Sequence, residues 1–225
     1  MFVALKTYST IEMIALAYAV DRINKGYVKF SNSTVKSNKD VFMGQIAKID
    51  QPQYFTEVAE VVVTDADREA ATQVEKKLSH MILKSIKGFD NTFEQNMYNA
   101  VFKDTVTRNN LPMISFVPEF VRRETQQKTT TREIVNNYSE SVHMTSAKDA
   151  VGVAKILRAI YMSNFEKYMY VAVTEGGNLI RFYIKEKFAV DEKIKITSCK
   201  IKNTEVDKIT KMNVTLLNFV RFKRV

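Results

Sequence analysis

The sequence predicts an α+β protein: a mixed, mainly helical N-terminal part followed by a C-terminal five-stranded β-barrel. Two observations carry this. Helix start and stop signals are concentrated in the first half of the chain, and five short runs rich in Val, Ile, Tyr, Phe and Thr fill the stretch from Ala150 to Lys223. The expected domains are residues 1–140 and 147–225. With 225 residues, 45% apolar and 26% charged, the chain has the composition of a globular protein and can bury a sizeable core.

The first helix is expected to open at Ser9, where Ser9 and Glu12 have capping-box spacing, and to stop at Gly26. Ile11, Ile14, Ala15 and Tyr18 follow helical spacing along it. Tyr27 to Phe30 reads as strand-like, Ser31 to Asp40 as a loop, and Val41 to Asp50 fits either helix or strand. Thr64-Asp65-Ala66-Asp67 starts a second helix, with acids where the helix dipole favours them, running to Lys87 before Gly88. Asn91 or Thr92 starts a third. Arg122 to Ser146, with its Gln/Thr-rich centre, reads as a polar linker between the two parts.

The strands are expected at Ala150 to Ser163, Glu166 to Thr174, Asn178 to Ile184, Lys193 to Asn203 and Lys211 to Lys223. Gly176-Gly177 is a hairpin turn signal between the second and third. Five strands of this length and spacing fit a small Greek-key barrel, of which the OB-fold is the natural candidate.

Lys and Arg number 34 against 25 Asp and Glu, a net charge of +9. Such a surplus favours a polyanionic partner, nucleic acid first. From Lys185 to Val225 eleven basic residues face five acidic ones, so two thirds of the surplus lies at the C-terminal end. The single cysteine, Cys199, cannot form an internal disulfide, and with only His80 and His143 beside it a zinc site is not expected. No cofactor and no metal are expected. Neither a spanning apolar stretch nor a secretory signal is seen, so a soluble, cytoplasmic protein without membrane contact is expected.

Three stretches carry a resemblance. Tyr170-Val-Ala-Val-Thr-Glu-Gly-Gly-Asn-Leu-Ile-Arg-Phe forms a central hairpin. Phe188-Ala-Val-Asp-Glu-Lys-Ile-Lys-Ile-Thr leads into a fourth strand, with Val190-Asp191-Glu192 where the usual pattern has Val-Gly-Asp, so that the Gly is replaced. Val214-Thr-Leu-Leu-Asn-Phe-Val-Arg-Phe closes the set. Together they resemble the OB-fold single-stranded-DNA-binding proteins of tailed-phage replication and recombination gene clusters, over the C-terminal third only. The resemblance implies binding of single-stranded DNA with little sequence preference in phage replication, recombination or repair. It implies a bacterial host cytoplasm, and replication or recombination proteins as partners; a homo-oligomer is compatible with it. The last residues given, Arg221-Phe-Lys-Arg-Val, contain no acid, so recruitment of partners through an acidic tail, as in many such proteins, is not expected.

Strand alternation places Tyr168, Tyr170, Arg181 and Tyr183 on one exposed sheet surface, where rings would stack on bases and Arg181 would add charge. The alternative is that these tyrosines pack under the N-terminal part or against a dimer partner. Lys185, Lys195, Lys200 and Lys202 are expected to track phosphates. Arg122, Arg123 and Lys128 would form a basic loop that closes over a strand. No phosphate-binding glycine loop or nucleophile elbow is present, so no catalytic residue and no enzymatic activity are expected. Two other classes stay open: a phage-encoded adaptor or inhibitor that binds a host or phage nucleic-acid enzyme, and a nuclease using Asp65 and Asp67.

Overall fold

The computed structural model describes residues 6–55, 58–89, 91–162 and 165–225. The chain divides into two compact units, Met1–Thr125 and Gln126–Val225.

The first unit is mainly helical. A short strand β1 (Thr7–Ser9) leads into α1 (Thr10–Ile23), followed by α2 (Asn38–Asp50), α3 (Asp65–Thr72), α4 (Val74–Lys77), α5 (His80–Lys87) and α6 (Thr92–Val101). Then come β2 (Thr105–Thr107), α7 (Leu111–Ile114) and the start of α8 (Val117–Asn137). β1 and β2 pair antiparallel, Tyr8 opposite Val106. Met13 to Ala17, Ala19 and Val20 are buried, so α1 is central rather than one-sided, and Ile11 is exposed. Phe42, Leu78, Met97, Leu111 and Ile114 complete the core around it; each such side chain contributes ~1.5–3 kcal/mol on burial.

Several helix ends follow the sequence signals. Thr64 and Asp67 form a capping box at α3, and Asn91 accepts from the Glu94 N–H at α6. Ser9 is the N-cap of α1, but its side chain makes no capping bond. The stretch from Asp65 to Lys87 is three helical segments rather than one, with breaks at Gln73 and at Leu78 and Ser79. Tyr27 to Phe30 forms no strand; the Val28 N–H is bound by the Asn38 side chain at 2.9 Å instead.

The expected linker is helical as far as Asn137. No Pro or Gly interrupts residues 119–151, and Glu119 pairs with Arg122 and Arg123 one turn on. The polar Gln/Thr run is a helix surface, not a loop.

The second unit contains the barrel. Its strands are β3 (Gly152–Met162), β4 (Lys167–Thr174), β5 (Leu179–Ile184), β6 (Lys193–Val206) and β7 (Asn213–Arg224). The expected end of the first strand, Ser163, lies outside the described residues. The barrel closes in the order β3-β4-β5-β7-β6. β5 and β7 run parallel, and the other pairs, including the closing β3–β6 pair, are antiparallel. A first-second-third-fifth-fourth order in a closed five-stranded barrel is consistent with an OB-like fold. Gly177, at φ 78, turns the β4–β5 hairpin, and its N–H donates to the Thr174 carbonyl at 3.0 Å. Inside lie Ala154, Ile156, Tyr170, Ala172, Ile180, Phe182, Phe188, Ile194, Ile196 and Leu217.

Candidate nucleic-acid interface

The register of β4 on β5 decides the fate of the expected tyrosine surface. Tyr170 stands opposite Phe182 and Tyr168 opposite Ile184, whereas Arg181 faces Val171 and Tyr183 faces Met169. Opposed residues share a face. Tyr168 and Tyr170 therefore share the inner face with Phe182 and Ile184, and Arg181 and Tyr183 lie on the outer face. The four residues do not form one surface.

Tyr170 is fully buried. Its ring packs 5.4 Å from both Phe182 and Phe188. Its hydroxyl donates to the Glu186 carbonyl and accepts from the Phe188 N–H, both at 2.8 Å. Burial pushes this phenol above its ordinary pKa. Tyrosine suits an inner position here because the β5–β6 connection supplies partners for its hydroxyl. Tyr168 is half-buried and continues the aromatic column to the exposed Tyr161, 4.9 Å away.

The outer face of β4 and β5, where OB-folds commonly bind oligonucleotides, is largely occupied by this unit's own residues. Ile134 and Tyr138 pack on Leu157, Val171, Val173, Leu179 and Val214. Arg158 is buried there and donates to Thr131 Oγ1 at 3.0 Å; burial lowers its pKa. Arg181 is only 14% exposed and forms ion pairs with both Glu205 and Asp207. Its charge is thus neutralised. Asp207 also accepts from the Thr210 and Ile209 N–H groups at 2.8 and 3.0 Å. Burial opposes ionisation, but the bonds from Thr210 and Ile209 and the charge of Arg181 outweigh it, and the carboxyl sits below its ordinary pKa. Tyr183 is exposed beside Met169, and Lys185 is exposed just after β5.

The outer face of β6 and β7 is different. Ile194, Ile196 and Leu217 are buried inward, and Cys199, Ile201, Val220 and Phe222 pack against the same core. The residues between them point out. Lys193, Lys195, Lys200 and Lys202 of β6 and Arg221 and Lys223 of β7 are all exposed. Lys195 stands opposite Lys223, Ser198 opposite Arg221 and Lys200 opposite Asn218. None of these six cations forms an ion pair among the described residues.

Comparison with family models, with curated proteins and with solved structures finds no match to the chain.

Of the sequence-predicted site residues, Lys195, Lys200 and Lys202 share the β6–β7 face. Arg122 and Arg123 lie on α8 in the first unit and are bound by carboxylates: Arg122 by Asp21 and Glu119, Arg123 by Glu119. Lys128 is exposed further along α8. These three do not form a loop. Lys193, Arg221, Lys223 and Phe219 complete the β6–β7 surface and were not among the expected site residues. Alternation does place the first three outward, because Ile194 and Phe222 beside them are inward. Phe219 escapes alternation because β7 is bulged there.

His80 is half-buried, with Nε2 3.0 Å from Glu124. Asp67 is held by Arg22 and Thr64, and Asp65 is exposed with Arg68 3.5 Å away. Among the described residues no group of three or more His, Cys, Asp and Glu is placed to hold a metal ion. No helix among them is long and apolar enough to cross a membrane.

Proposed function

We propose that the barrel unit binds single-stranded nucleic acid, DNA by preference, with little sequence specificity, and that the strand lies along the outer face of β6 and β7. The observation that carries this is the row of six exposed cations, Lys193, Lys195, Lys200, Lys202, Arg221 and Lys223, with no carboxylate paired to any of them among the described residues. Residues 126–225 hold eighteen Lys and Arg against ten Asp and Glu, so this unit supplies nearly all of the chain's +9. Cations held close on two paired strands repel one another, and a polyanion relieves that repulsion while releasing its own counterions. The reading needs no bond to be made or broken. The resemblance of the barrel strands to tailed-phage proteins supports a role in DNA replication, recombination or repair, with proteins of those processes as partners.

The test is a titration of the full chain with labelled single-stranded and duplex oligonucleotides of equal length, repeated over a range of salt. Log affinity is expected to fall linearly with log salt, by ~0.7 per phosphate neutralised on a single strand. Replacing Lys200 and Lys202 together by Ala is expected to flatten that slope. An unchanged slope overturns the assignment to this face. Failure to bind any oligonucleotide at low salt overturns the function and favours the adaptor or inhibitor reading.

A further inference from the structure

We infer that Phe219 is a base-stacking residue, so that the β6–β7 surface selects strands with unpaired bases; this rests on the nucleic-acid reading of that surface and adds the group that discriminates.

The backbone is the starting point. Between the pairs Ser198↔Arg221 and Lys200↔Asn218, β6 advances by two residues and β7 by three, so β7 carries one extra residue. Phe219 sits in this bulge at φ 54. Left-handed backbone is easy for Gly and tolerable for Asn, but a bulky side chain is rarely found there, because its Cβ crowds the following carbonyl. Bulges that need such a residue ordinarily use Gly.

The ring gives the fold nothing in exchange for this strain. Phe219 is 77% exposed, so it buries little apolar area. A strained residue of this kind is retained where its side chain serves a purpose other than stability. Its neighbours indicate the purpose. Lys200 Nζ lies 5.7 Å from the ring centroid, within the range of cation–π attraction. Arg221 follows two residues on, and Lys202 lies two residues beyond Lys200. An exposed flat ring among unpaired cations matches a nucleotide in both its parts: the base stacks on the ring and the phosphates meet Lys200 and Arg221. Stacking of this kind is indifferent to base identity but requires that the base be unpaired. The site lies on the fourth and fifth strands of the barrel, away from the β4–β5 face that this unit's own residues occupy.

The test compares Phe219→Gly and Phe219→Trp in the full chain. Each is titrated with an oligo-dT single strand and with a duplex, and melted by circular dichroism. Phe219→Gly is expected to weaken single-strand binding roughly 5- to 150-fold, to leave duplex binding and the salt slope unchanged, and to melt at the same temperature or higher, because glycine relaxes the left-handed backbone. Phe219→Trp is expected to retain single-strand binding. Unchanged single-strand binding by Phe219→Gly, an equal loss on both substrates, or a lowered melting temperature overturns the inference. If Lys200→Ala with Lys202→Ala impairs binding while Phe219→Gly does not, the inference fails and the nucleic-acid reading stands. If the unaltered chain binds an acidic peptide but no oligonucleotide, both fail.

Discussion

Tyr170 stands directly opposite Phe182 across the β4–β5 ladder, with ring centroids 5.4 Å apart and both side chains fully buried. The pair fixes which face of the hairpin is inside. It also ties the barrel interior to the β5–β6 connection, through the two hydrogen bonds of the Tyr170 hydroxyl. Tyr170→Phe is expected to destabilise the barrel by ~1–3 kcal/mol, because two backbone groups lose their partner. Tyr170→Ala is expected to cost ~3–5 kcal/mol, the range for emptying an aromatic site. Urea titrations followed by circular dichroism measure both. If Tyr170→Ala is as stable as the parent chain, the inner assignment of this tyrosine is wrong.

The inversion of β4 has a physical cause in the sequence. Lys167-Tyr-Met-Tyr-Val-Ala-Val-Thr174 is apolar or amphipathic at nearly every position, so it has no polar face to mark the outside. Tyrosine is compatible with either side, because its ring is apolar and its tip polar. β5 is different: Arg181 between Ile180 and Phe182 breaks the run, and its inner face is legible. The strands themselves were legible because β-branched and aromatic runs are separated by Gly176-Gly177 and by charged turns. Helix α8 was not, since its inward residues are few and Gln and Thr fill the rest of its surface. The bulge at Phe219 leaves no local signature, because the residue found there is not the glycine that such a conformation favours.

The ion pairs of Arg181 with Glu205 and Asp207 give the barrel an acid-sensitive contact. The folded pKa of Asp207 lies below its ordinary value, so its stabilising contribution is fully present above the unfolded pKa of ~4. That contribution is lost as pH falls through the folded value. Unfolding midpoints are expected to drop between about pH 5 and pH 2. Asp207→Asn is expected to be less stable than the parent at neutral pH and to lose less over the acid range, so that the two curves converge. Parallel curves would show that Asp207 does not contribute to the acid sensitivity.

In the first unit, the capping box of α3 is coupled to α1. Asp67 accepts from the Thr64 N–H at 2.9 Å and from Arg22 of α1 at 2.9 Å. Thr64→Ala removes both bonds of the hydroxyl to Asp67, the one it accepts from the N–H and the one it donates to Oδ2, and is expected to cost ~1 kcal/mol. Asp67→Ala keeps the backbone N–H that the Thr64 hydroxyl caps, but removes the carboxylate's half of the box and the link to Arg22 together, and is expected to cost more. Chemical denaturation of the two variants gives the comparison; equal costs would mean that the Arg22 link contributes nothing measurable.

Lys195 and Lys223 stand directly opposite each other on β6 and β7 with no acid between them. Like charges in register are unfavourable in the free protein, so on the proposed reading one of the two positions costs the fold and serves binding. Lys195→Glu turns the repulsive pair into an attractive one. The variant is expected to gain roughly 0.2–1 kcal/mol of stability, and the gain should shrink in high salt, where exposed charges are screened. Binding should move the opposite way. One cation is lost and the other is engaged by the new carboxylate, so the salt slope on a single strand is expected to flatten by about 1.4, the equivalent of two phosphates. Melting curves and oligonucleotide titrations at two salt concentrations provide both readouts. A variant that becomes more stable yet binds with the original slope would place the phosphate path away from this pair.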